Sequence, residues 1–174
     1  MNRRLVLAAC LAALGCRRET IPIPTGEGRL AVPGGRIWYT VTGTGSAAPL
    51  VLLHGGPGFS SFYLKPFEAL GGDRPVIRYD QLGGGKSDRI SDTAMFTIPH
   101  FVAELDSLRA ALGIARWHLL GHSWGTILAL EYYRAHPDRV ASLTFASPVF
   151  DLPAYERHAR DLLATLSDSS QQAV

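Results

Sequence analysis

The 174-residue sequence predicts an α/β fold, a mostly parallel sheet with flanking helices, and three observations carry that prediction. Between residues 50 and 147, short apolar runs of strand length alternate with stretches of helical spacing, the pattern of a parallel sheet covered by helices. Leu50-Val51-Leu52-Leu53 is continuously apolar, as a strand buried on both faces must be. The composition, 47% hydrophobic and 18% charged, is that of a globular chain.

The elements follow in order. Gly28–Val32 and Arg36–Thr42 read as strands joined at Pro33-Gly34-Gly35, a hairpin by its turn residues. Leu50–Leu53 is a strand, residues 62–70 have helical spacing, and Pro75–Tyr79 is a strand again. Phe101, Val102, Leu105, Leu108 and Leu112 recur at helical intervals across 98–112. Trp117–Leu120 is a short strand, Ile127–Ala135 a helix and Val140–Ala146 a strand, and a last helix is predicted over Pro153–Leu166. The predicted organisation is a leader at 1–16, a linker at 17–27, the main domain at 28–150 and a further region at 151–174.

The leader rests on charge and length. Arg3 and Arg4 precede the apolar run Leu5–Gly15, which is too short to span a bilayer and reads as a secretory signal. Leu14-Gly15-Cys16 resembles a bacterial lipoprotein cleavage site, so the expectation is export to a bacterial periplasm or membrane anchoring through a lipidated Cys16. A chain that keeps this segment as a helical overhang is the cytoplasmic alternative. Both cysteines, Cys10 and Cys16, lie here, which leaves the fold no disulfide to make. The net charge of +2 is spread without a basic block, so no nucleic-acid partner is expected.

Gly121-His122-Ser123-Trp124-Gly125 follows an apolar strand and opens a helix, the setting of a nucleophile elbow. A serine on such a turn takes strained backbone angles, and the flanking glycines let neighbouring chains approach without a Cβ clash. Ser123 is therefore the candidate nucleophile. His54-Gly55-Gly56-Pro57-Gly58 directly follows the Leu50–Leu53 strand, where a glycine-rich loop can aim an N–H at a substrate oxyanion. Gly56 is the candidate loop donor, with Gly55 the alternative, and the Trp124 N–H is the second donor. Gly55 and Pro57 are assigned to substrate binding. His54 is read as hydrogen-bonded within its loop and not as a base. The His122 side chain is expected to point away from Ser123. Gly85-Lys86-Ser87 imitates the end of a phosphate-binding loop, but Asp80 stands where that motif needs glycine. No spacing of His, Cys and carboxylates suggests a metal, and no cofactor is expected.

His54–Gly58, Asp80–Ser87 and Gly121–Gly125, in this order and spacing, resemble the proline iminopeptidase group of α/β-hydrolases, as do Leu128–Tyr132 and His136–Val140. The similarity covers residues 28–150. It implies the α/β-hydrolase fold and a serine hydrolase that releases N-terminal residues, often proline, from small peptides or amino-acid amides. It also implies acyl transfer through a Ser-Asp-His triad without metal or cofactor. The alternatives are an esterase, lactonase or amidase on the same fold, or an exported binding protein without catalysis.

The triad in this fold runs Ser, Asp, His along the chain, yet the sequence after Ser123 holds one predicted strand and one helix. The expected fold is thus truncated after about the sixth strand and the start of the helical cap, and expected to be inactive unless another polypeptide completes it. Asp151 and His158 are the local candidates for acid and base. His136 is expected far from Ser123, His100 on the surface at a helix start, and His118 satisfied or solvent-facing within its strand.

Overall fold

The computed structural model describes residues 23–167; Cys10, Cys16 and the rest of the predicted leader, most of the linker and the terminal 168–174 lie outside the described residues. Six strands form one sheet: β1 (Gly26–Val32), β2 (Gly35–Thr42), β3 (Leu50–Leu53), β4 (Val76–Asp80), β5 (Trp117–His122) and β6 (Val140–Ala146). Their spatial order is β1-β2-β4-β3-β5-β6. The β1–β2 and β2–β4 pairs are antiparallel, and β4, β3, β5 and β6 run parallel. The helices are α1 (Ile98–Ala111), α2 (Trp124–Ala135) and α3 (Leu152–Leu163), with a 3-10 helix over Ser61–Leu70 where the sequence indicated helical spacing. This is the mostly parallel sheet with flanking helices that the sequence predicts.

The side-chain alternation of β3 shows how the sheet is covered. Val51 and Leu53 face a large core built with Phe101, Leu105 and Leu108 of α1 and Leu128, Ala129 and Tyr132 of α2. Leu50 and Leu52 face the other way, into a smaller cluster with Leu64, Val76 and Leu120 beneath the 3-10 helix. All four β3 residues are buried.

Several boundaries differ from the sequence reading, and three of the differences have a clear physical reason. β1 begins at Gly26, inside the predicted linker, because Glu27 pairs with Thr40 and its carboxylate accepts from the Trp38 indole N–H at 2.9 Å. β5 runs on to His122 because Gly121 and His122 pair with Phe145 and Ala146 of β6. α2 opens at Trp124, three residues earlier than predicted, because Ser123 serves as its N-cap and no connecting turn intervenes. Strand β5, Ser123 and helix α2 are thereby continuous. At the other side β6 forms the sheet edge among the described residues, and α3 buries none of its side chains.

Candidate active site

Ser123 sits at the sharp turn between β5 and α2 with φ 52° and ψ −122°, a left-handed backbone conformation that a non-glycine residue rarely adopts. Several bonds hold it there. Its N–H donates to the Ala146 carbonyl of β6 at 3.0 Å, and its carbonyl accepts from the Thr126 N–H at 2.8 Å and the Thr126 hydroxyl at 2.7 Å. The flanking glycines act as the sequence reading proposed. A Cβ on Gly121 would collide with the Gly125 carbonyl, and one on Gly125 with the Leu53 carbonyl of β3.

The loop after β3 packs directly on this turn. A Cβ placed on Gly55 would lie 3.1 Å from Ser123 Cβ and 3.5 Å from His122 Nδ1. Ser123 and His122 thus share one cleft of about 370 Å³, lined also by Gly55, Gly56, Phe59, Ser60 and Tyr63. His122 therefore departs from expectation: its ring borders the same cleft as Ser123 and does not turn away from it. The reason is Tyr63 of the 3-10 helix, whose hydroxyl lies 2.9 Å from His122 Nδ1 and packs the ring edge-on at 5.2 Å. Pro57 follows a cis peptide bond and does not line the cleft.

The two loop amides are not equivalent. Gly55 N–H donates to the Tyr63 hydroxyl at 2.7 Å, while Gly56 is exposed and its N–H meets no acceptor among the described residues. The N–H of Trp124, first residue of α2, has no partner within the helix.

His54 is fully buried and structural. Its Nε2 accepts the Gln81 N–H at 2.9 Å, so Nδ1 carries the proton and donates to the Gly55 carbonyl at 2.7 Å. Burial lowers the pKa of this ring and keeps it neutral. Gln81 reaches further. Its side-chain amide donates to the His54 carbonyl at 3.0 Å, and its Oε1 accepts from the Trp124 indole at 3.0 Å. One buried glutamine therefore clamps the glycine loop to the elbow. Beside it, Leu82 N–H donates to the buried Glu104 of α1 at 3.1 Å.

Asp80 anchors the segment that resembled a phosphate loop. Its carboxylate accepts from Ser61 N–H and Oγ at 2.6 Å each and from Lys86 N–H at 2.7 Å. The Lys86 amide is thus occupied by a carboxylate that would repel a phosphate. Among the described residues no group of His, Cys, Asp and Glu is placed to hold a metal ion.

No histidine or carboxylate among the described residues is hydrogen-bonded to Ser123. Asp151 caps α3, accepting the Ala154 N–H at 2.9 Å, and His158 is exposed on that helix. His118 pairs with Ser142 at 2.7 Å, His136 packs on Tyr132, and His100 packs on Phe101. Sequence reasoning missed Tyr63 and Gln81. Tyr63 lay inside a stretch read only for its apolar spacing, and the Gln81–Trp124 bond spans 43 residues, beyond any local pattern.

Residues 48–172 match the family model described as the alpha/beta hydrolase fold. A proline iminopeptidase of Heyndrickxia coagulans is 43% identical over 149 residues, 85% of this chain and 52% of that protein. Among solved structures, proline iminopeptidase of Mycobacterium smegmatis superposes with a TM-score of 0.74 at 32% identity, covering 85% of this chain and 52% of that one. VinJ superposes at 0.76 and 34% identity, covering 86% and 53%. The chain thus spans about half the length of the relatives it matches.

Proposed function

Because the chain belongs to the α/β-hydrolase family and proline iminopeptidases are among its relatives, we propose that Ser123 is the nucleophile of an acyl-transfer reaction on peptides or amino-acid amides. The N-terminal residue of the substrate, often proline, would be the acyl group. The observation that carries this reading is the backbone of Ser123, left-handed at φ 52° and held by bonds from β6 and α2 at the mouth of a cleft. Strain of this kind persists only where the surrounding structure enforces it.

On this reading Ser123 Oγ attacks the substrate carbonyl, and the oxyanion receives the N–H groups of Gly56 and Trp124. Gly56 is preferred over Gly55 because Tyr63 already occupies the Gly55 amide. Collapse expels the amine, and water then cleaves the acyl-serine. Proton transfer needs a general base, and no histidine or carboxylate among the described residues is hydrogen-bonded to Ser123. Without a base the rate falls by several powers of ten. Among the described residues no carboxylate lines the cleft, the observation behind a second reading, an esterase or amidase acting on acyl groups without a free amine.

The test is labelling of the full chain by a fluorophosphonate probe beside Ser123→Ala. Labelling that is lost in the variant supports an activated Ser123. A folded chain that resists the probe refutes activity in this chain on its own. Proline-β-naphthylamide against simple acyl esters then separates the two substrate classes.

A further inference from the structure

Tyr63 joins the glycine loop to His122, and proton accounting through its hydroxyl fixes more than position. The Gly55 amide can only donate, so Tyr63 Oη accepts at 2.7 Å and keeps its own hydrogen free. The other partner of this hydroxyl among the described residues is His122 Nδ1 at 2.9 Å. If Nδ1 carried the proton, the Tyr63 hydrogen would have no acceptor there. The tautomer that uses this hydrogen within the protein has Nδ1 accepting and, in the neutral ring, the proton on Nε2; the alternative leaves the hydrogen of the half-exposed Tyr63 to solvent. Nε2 meets no protein partner among the described residues, and His122 borders the cleft next to Ser123.

We propose that His122 is a substrate-binding hydrogen-bond donor, its Nε2–H presented to the Ser123 cleft and its tautomer set by the relay Gly55 N–H to Tyr63 O–H to His122 Nδ1. The group it suits is an uncharged acceptor, such as the carbonyl oxygen of an amide or ester beyond the one attacked. An N–H donor repels an ammonium group, and the cleft has no carboxylate among its lining residues to offset that. Tyr63 is the positioning residue in this arrangement. The assignment deepens the reading of the cleft as an amide or ester site and rests on it for the identity of the acceptor, but not for the tautomer.

The test uses the full chain labelled with 15N-histidine at mildly alkaline pH, where imidazoles are neutral. The long-range 1H–15N spectrum is expected to show His122 protonated on Nε2, and Tyr63→Phe to convert it to a mixture of tautomers. A His122 protonated on Nδ1 overturns the proposal, as does a tautomer unchanged in a folded Tyr63→Phe variant. The wild-type spectrum decides the wiring even if that variant does not fold. Binding is read with N-acetylprolinamide as the probe, which carries a carbonyl besides the scissile one and no free amine. His122→Gln, which keeps a donor, is expected to bind within about twofold of wild type, and His122→Leu about fivefold more weakly. Equal binding by His122→Leu overturns the donor role. A wild-type chain that shows the stated tautomer but no affinity for N-acetylprolinamide defeats the amide or ester reading of the preceding section and leaves the relay standing.

Discussion

Glu104 puts a buried carboxyl beneath the loop that carries Gln81, and replacing it with glutamine tests how that loop is held. The side chain is 1% exposed, Oε2 accepts the Leu82 N–H at 3.1 Å, and Oε1 meets no partner among the described residues. Burial raises its pKa from 4.5 to about 8, while the Leu82 amide pulls weakly the other way. The unfolded chain therefore releases the proton near pH 4.5 and the folded chain only near 8. Between these values the folded state holds the extra proton, so stability present below 4.5 is lost as pH rises to about 8. The interval from 4.5 to 8 is 3.5 pH units, and at about 1.36 kcal/mol per unit the loss is at most about 5 kcal/mol. Water entering beside the charged form lowers the cost, so about 2–5 kcal/mol is expected, a large share of the roughly 5–15 kcal/mol of a typical domain.

Glu104→Gln keeps an acceptor for Leu82 and carries no charge at any pH. Urea unfolding followed by tryptophan fluorescence from pH 5 to 8.5 is the assay. His54 acts in the opposite sense: burial depresses its pKa, so its contribution is lost as pH falls below the ordinary imidazole value of 6.5. Both proteins contain His54, and the difference between their stability curves isolates Glu104. That difference should grow in favour of the variant as pH rises and level off above about 8. A flat difference across the range refutes the reasoning.

Ser123→Gly should raise stability by about 1 kcal/mol, because glycine adopts φ 52° freely and the relief exceeds its greater entropy when unfolded; the same unfolding assay reads it, and probe labelling should vanish. Gly125→Ala drives a Cβ into the Leu53 carbonyl and should cost roughly 3 kcal/mol, seen as a lower urea midpoint. Asp106 is partly desolvated, which alone would raise its pKa, yet hydrogen bonds from Arg109, Arg139 and Tyr132 hold it below its usual 3.8. Its contribution is therefore present above 3.8 and lost as pH falls below it. Asp106→Asn should cost roughly 2 kcal/mol at neutral pH and much less in strong acid, measured by thermal unfolding at the two conditions.

Much of this architecture is legible in the sequence because its signals are local. The apolar run at Leu50–Leu53 and the segment Val140–Ala146 appear as strands at those bounds, the first buried throughout and the second largely exposed. Gly121 and Gly125 announce the elbow because their lack of a side chain is the requirement itself. What stays hidden depends on partners distant in the chain. Glu27 looked like linker because its reason for joining a strand is Trp38 on the neighbouring one. His122 was expected to leave the cleft because nothing near it in sequence indicates Tyr63, 59 residues earlier. Gln81 was read within a misleading glycine-rich stretch, and its bonds to His54 and Trp124 emerge only once β3, β4 and α2 are assembled.

These hidden residues explain how a strained serine can be held in place at all. A left-handed serine costs about 1–3 kcal/mol, which the turn must offset through its surroundings. Ser123 is tied to β6 through Ala146 and to α2 through Thr126, and Gly125 lets α2 seat against β3. Gln81 then locks Trp124, the next residue, to the loop after β3, and Glu104 holds Leu82 behind it. Four strands and two helices thus converge on the turn that carries Ser123. Within the described residues the turn that carries Ser123 is held from several sides, whereas no histidine or carboxylate among them is hydrogen-bonded to Ser123. Positioning and proton transfer are separable in this molecule, and the probe experiment measures the second against the background of the first.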